Sequence, residues 1–122
     1  MKNAVNWFEI PVNDFDKAVK FYEQMMKASL QREQMDGIDM AIFPYDEGAV
    51  SGSLVKAGFL QPSAHGTLVY LNTEGFIDDA IERAVGQGGE VLMAKTAIGE
   101  NGYIAHIRDC EGNRVGLHSM SA

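Results

Sequence analysis

The run from Phe8 to Tyr22 constrains this chain most, because its hydrophobic period changes halfway along. Phe8, Ile10 and Val12 alternate with Trp7, Glu9 and Pro11, which is the two-residue period of a strand with unlike faces. Asn13-Asp14 interrupts the alternation, and either side chain can accept from the free N–H groups of a helix's first turn. Phe15, Ala18, Val19, Tyr22, Met25 and Met26 then recur at helical spacing and form one apolar stripe. The run predicts a strand feeding a helix that packs back on its own sheet.

The elements that follow are short. Leu30 to Met35 reads as a strand, Asp36-Gly37 as a hairpin turn, and Asp39 to Tyr45 as the returning strand. Asp46-Glu47-Gly48 turns the chain again into a strand from Val50 to Lys56. Residues 57–65 form the longest loop, too short to link independent domains. Gly66 to Asn72 is apolar on both faces at Leu68–Leu71, so it is expected in the centre of a sheet. Gly75 to Gln87 reads as a second helix, with Ile77, Ala80, Ile81, Ala84 and Val85 as its stripe. Gly88-Gly89 stops it, since glycine takes the left-handed cap conformation without steric cost. Strands are expected at Glu90–Lys95, Tyr103–Asp109 and Arg114–His118, with a loop at 98–102 and a turn at 109–113. The order is β-α-β-β-β, twice: one module at about 1–57 and another at about 66–122, in a single domain of 122 residues. A faint internal echo agrees. Phe15–Val19 matches Ile77–Ile81 at an offset of 62, and Glu47-Gly48 with Gly52 matches Glu111-Gly112 with Gly116 at an offset of 64.

Composition excludes several classes. The chain is 46% apolar, enough for a real core. No apolar run approaches the roughly 18 residues that a spanning helix needs, and the start carries one Lys but no apolar stretch, so no signal peptide is expected. Cys110 is the single cysteine, which rules out an intrachain disulfide or a cysteine zinc site and fits a cytoplasmic location. The net charge of −7 argues against nucleic acid or an anionic membrane as partner. The glycines at 48 and 52, and at 86, 88 and 89, are not phosphate loops: the first pair lacks a following Lys-Ser/Thr, and the others end a helix rather than start one.

The opening run also resembles the vicinal oxygen chelate family, which includes glyoxalase I, extradiol dioxygenases, and the fosfomycin and bleomycin resistance proteins. The family's hydrophobic-x-V-x-D-x-x-x-A-x-x-F-Y pattern is matched by Ile10, Val12, Asp14, Ala18, Phe21 and Tyr22. Its late D-x-x-G-x-x-hydrophobic-x-L signature is matched by Asp109, Gly112, Val115 and Leu117. The resemblance implies an α+β fold of paired βαβββ modules, with strands curled into an open sheet around a cavity, helices outside, and a homodimer. In metal-dependent members His and Glu ligands project into that cavity. The resemblance places those positions on Trp7, Gly52, Thr67 and Gly116, none of which supplies an imidazole or carboxylate. The chain is therefore similar to the metal-free branch, whose reactions are uncharacterised, and to the drug-sequestering members. No metal and no cofactor are expected, and the expected partner is a small organic ligand.

The hairpin from Tyr103 to His118 carries the most information about the cavity. With a turn centred on Glu111, Ala105, Ile107, Val115 and Leu117 share an apolar face. Ile104, His106, Arg108, Arg114, Gly116 and His118 share the other, which in this fold is the cavity side. His106 and His118 read either as an acid/base pair or shifted metal site completed by Glu9, or as a polar rim facing water. Glu9 reads as a general base or as a structural, solvated carboxylate. Trp7 reads as an aromatic wall or as plain packing. Arg114 and Arg108 read as anion ligands or surface charges. Met35, Met40, Met93 and Phe43 read as pocket lining or core. The ligand-binding candidates are Trp7, Glu9, Thr67, His106, Arg114 and His118; the catalytic candidates are Glu9, His106 and His118. Cys110, in a polar turn, is expected to be exposed.

Overall fold

A computed structural model describes residues 3–122. Strand β1 (Trp7–Pro11) leads into helix α1 (Phe15–Met26), followed by β2 (Gln31–Met35), β3 (Ile38–Ile42) and β4 (Ser51–Lys56). The second module repeats the order: β5 (Tyr70–Asn72), α2 (Ile77–Gly86), β6 (Glu90–Ala97), β7 (Tyr103–Arg108) and β8 (Arg114–Ser119). The strands form two four-stranded sheets, β1-β4-β3-β2 and β5-β8-β7-β6. In each, the first strand pairs parallel to the last and the other pairings are antiparallel. This is the expected pair of βαβββ modules in an α+β fold with open sheets.

Local chemistry accounts for the helices. Asp14 caps α1, its carboxylate accepting from the Lys17 amide at 3.3 Å. Glu111, in the turn between β7 and β8, accepts from the Asn13 and Asp14 amides at the same helix end. Ala18, Val19, Phe21, Tyr22 and Met25 face the core. Helix α2 has no side-chain cap, but Asp78 and Asp79 put negative charge at its positive end. It stops where Gly88 turns left-handed at φ 95° and Gly89 N–H bonds back to the Ala84 carbonyl. One core spans both modules, joining Ile10 and Leu54 of the first to Leu71, Ile107 and Leu117 of the second. Among the described residues no helix is long and apolar enough to cross a membrane.

A buried polar knot ties the modules together. Asp109 is 3% exposed. Its carboxylate accepts from the Tyr22 hydroxyl at 2.5 Å, from the Glu111 and Asn113 amides at 2.8 and 2.9 Å, and from the Asn113 side chain at 3.0 Å. Asn113 also donates to the Pro11 carbonyl at 2.7 Å and accepts from the Ser63 amide at 2.9 Å. Asp109 in the late signature thus holds the β7–β8 turn against α1. Burial, then the Asp109 charge, pushes the Tyr22 phenol well above its usual range, so it stays a donor.

Two expectations need correction. The strand from Gly66 to Asn72 keeps ladder pairing only over Tyr70–Asn72 and lies at the edge of its sheet, not the centre. Its apolar residues Leu68 and Val69 border a cleft facing β1, which draws apolar side chains as a sheet interior does. Cys110 is half-buried rather than exposed, because its turn folds onto α1 and its thiol approaches the Lys17 carbonyl. Burial, followed by the Asp109 and Glu111 charges, pushes that thiol up to about 11, far from a reactive thiolate.

Candidate functional site

The register assigns each side chain to a face. Trp7, Glu9 and Pro11 pair with Ser51, Ser53 and Val55 on the face of the first sheet away from α1. Phe8 and Ile10 pair with Gly52 and Leu54 on the face packed beneath the helix. In the second sheet Leu71, Ala105, Ile107, Val115 and Leu117 face the core. Tyr70, Asn72, His106, Arg114, Gly116 and His118 lie on the other face, as the alternation of the hairpin predicts.

Between β1 and β5, the first strands of the two sheets, runs a cleft of about 780 Å³. Trp7, Phe8, Phe43, Val50, Leu68 and Tyr70 form much of its wall, and Glu9, Ser51, Thr67 and Asn72 add polar groups. Thr67 lies in the loop before β5 rather than within the strand, but reaches the cleft as a lining residue. Trp7 is 42% exposed there, a large ring without full cover. In register with Glu9, Ser53 is fully buried, and its hydroxyl is the one buried side-chain oxygen without a partner among the described residues. A second hollow of about 840 Å³ lies on the helix side near the start of α1. Asp14, Asp16, Arg32, Glu33, Asp39 and Lys56 line it together with the Phe15 ring, a shallow surface of mixed charge.

His106 and His118 take different partners. His106 Nδ1 accepts from Arg114 Nε at 3.0 Å, and His106 Nε2 meets the Tyr70 hydroxyl at 2.7 Å. His118 Nε2 sits 2.7 Å from the Asn101 carbonyl, in the short helical turn before β7. Glu9 belongs to the other sheet. Among the described residues no three His, Cys, Asp or Glu side chains gather into a group that could hold a metal ion. The four positions assigned to family ligands do not share a face either. Gly52 lies under the helix, where a Cβ would meet the Phe8 ring at 2.4 Å, while Trp7 points the opposite way.

Sequence reasoning missed Tyr70. Its ring crosses β8 over Gly116, where a Cβ would stand 2.3 Å from the ring, and reaches His106 on β7. An aromatic residue opposite a glycine in the parallel β5/β8 register was the available signal, but it needs that register to be known.

Burial pulls the His106 imidazole below its ordinary value, and the Arg114 charge pulls the same way. As pH falls below the ordinary 6.5, the unfolded chain takes up a proton that the folded chain resists, so this group lowers stability. That loss develops between 6.5 and the lower folded value and is complete below it. Urea midpoints across this window are expected to fall less steeply in Arg114→Gln than in the parent, because part of the shift is removed. Parallel slopes would show that the guanidinium does not act on the ring.

The comparisons with known proteins agree with this architecture. A glyoxalase/bleomycin resistance protein/dioxygenase domain from Frankia sp. has a TM-score of 0.72 at 17% identity, covering 98% of each chain. A glyoxalase family protein from Bacillus cereus has a TM-score of 0.68 at 20% identity, covering 97% of this chain and 96% of that one. A genomically encoded fosfomycin resistance protein from Listeria monocytogenes has a TM-score of 0.67 at 15% identity, covering 98% and 92%. At these identities the likeness shows the fold alone. No curated protein sequence matches significantly. The family model for the Glyoxalase/Bleomycin resistance protein/Dioxygenase superfamily matches residues 4–117, nearly the whole chain, and the chain therefore belongs to that superfamily.

Proposed function

We propose that the chain binds a small organic molecule in the cleft between β1 and β5, without the metal used by other members of its superfamily. The observation that carries this reading is the cleft itself: about 780 Å³, with aromatic and aliphatic walls and a few polar groups at its margin. That is the size and character of a site for a small ligand. The metal-free part rests on the donor set. Trp7 and Thr67 are poor ligands, and the Cβ positions of Gly52 and Gly116 are already occupied by the Phe8 and Tyr70 rings. A lyase or isomerase built on Glu9, His106 and His118 would need those side chains gathered; in one chain His106 and His118 are engaged elsewhere, so the binding reading is preferred. The exposed apolar groups Val5, Trp7, Tyr45, Val50, Phe59 and Tyr70 support a homodimer, and the lone Cys110 a cytoplasmic setting.

Trp7 is the single tryptophan, so fluorescence excited selectively at tryptophan reports on this cleft. Titration with 3-phenylpropionamide, a neutral aryl probe, is expected to quench it saturably. Val50→Glu, which puts a charge in the apolar wall, is expected to abolish the quench. Protein purified without chelator is expected to carry substoichiometric divalent metal. Stoichiometric metal, or a Trp7 signal indifferent to the probe, would overturn the proposal.

A further inference from the structure

The open face of β7 and β8 carries a hydrogen-bond chain whose direction is set by the chemistry of its members. Arg114 Nε can only donate, so His106 Nδ1 must present its lone pair. An imidazolium there would aim an N–H at another N–H, with like charges facing. The ring is therefore neutral and carries its proton on Nε2. That proton goes to the Tyr70 oxygen at 2.7 Å. With its oxygen already accepting, the Tyr70 hydroxyl keeps its own hydrogen free to donate outward, and the incoming bond strengthens that donation.

Charge on the same face has the same sense. The chain has 17 acidic and 10 basic residues, yet Arg114 forms no ion pair with a carboxylate among the described residues. Arg108 on the same face is paired with Glu90. Arg114 instead spends Nε on an imidazole and leaves its terminal nitrogens without a protein acceptor among the described residues. A free phenol hydrogen and a free guanidinium end, one on either side of the same imidazole, are donors only, the complement of an oxygen anion. Tyr70 also lines the cleft, so its ring joins the apolar wall to this polar end.

We propose that Arg114, His106 and Tyr70 form an oriented relay that makes this face an anion subsite, selecting small organic ligands that carry a carboxylate beside an apolar body. Tyr70 donates to the ligand carboxylate and Arg114 supplies positive charge on the same face; His106 is a positioning residue that holds the phenol. The inference rests on the cleft reading and specifies the ligand class.

The test pairs 3-phenylpropionate with its neutral amide, read by Trp7 fluorescence, and reads His106 directly by 15N correlation spectroscopy of labelled histidine. The carboxylate is expected to bind at least tenfold more tightly than the amide. Tyr70→Phe and Arg114→Gln are each expected to reduce that preference, read as the ratio of the two affinities within each variant, to threefold or less. The His106 pattern is expected to be that of the Nε2–H tautomer, and Arg114→Lys to mix the two tautomers. A parent protein with His106 in the Nδ1–H form overturns the relay. Equal binding of both probes, unaffected by Tyr70→Phe, overturns the anion subsite and leaves the cleft standing. Failure of both probes to quench Trp7 overturns the cleft and the subsite together.

Discussion

Replacing Asp109 by alanine is expected to destabilise the chain by about 3–5 kcal/mol, read as a fall in the urea midpoint with little change in slope. The carboxylate is buried and is the common acceptor for the Tyr22 hydroxyl, two amides and the Asn113 side chain. Alanine leaves these donors facing a small void that cannot satisfy them, and each orphaned buried donor costs about 1–3 kcal/mol. Tyr22→Phe is the informative contrast. It removes one donor and leaves a carboxylate that still has three, so it should cost about 1 kcal/mol. The double variant should cost less than the sum, because the hydroxyl that Asp109→Ala orphans is then already absent. A loss below about 1 kcal/mol for Asp109→Ala would mean that the knot does not hold the β7–β8 turn to α1.

The features legible in the sequence were those with a local period. The alternation from Tyr103 to His118, about a turn held by Gly112 at φ 92°, gave each residue its correct face. The change of period at Asn13-Asp14 placed β1, the cap and α1. Illegible features depended on pairings between distant segments. Leu68 and Val69 are apolar on both sides whether a strand lies mid-sheet or beside a cleft, so composition could not place β5. The family resemblance put Trp7 and Gly52 in one set, but a single-residue offset in register moves a side chain to the opposite face. Tyr70 escaped notice because its importance comes from the space above Gly116, a property of register and not of either residue alone.

The two glycines that the family resemblance assigned to ligand positions are expected to respond to the same mutation in different ways. Neither has a positive φ, so each is needed for the space it leaves and not for its backbone conformation. In Gly52→Ala the new methyl would sit 2.4 Å from the Phe8 ring. That ring is held against Phe43 at 5.7 Å between centroids, and Phe43 against the buried Tyr22 at 5.8 Å. These contacts restrain the ring on its Phe43 side, so overpacking should cost about 1–3 kcal/mol of stability. In Gly116→Ala the methyl would sit 2.3 Å from Tyr70, but Tyr70 is 43% exposed on a short edge strand and can swing into solvent. Stability should fall by about 1 kcal/mol or less. The swing separates the phenol from His106, so the carboxylate preference seen at Trp7 should disappear and the His106 ring signals should shift. Urea midpoints and the paired probe titration on both variants would separate the two cases. A Gly116→Ala chain that kept both the His106 pattern and the carboxylate preference would show that Tyr70 does not need the glycine beneath it, and the packing argument for the subsite would fail.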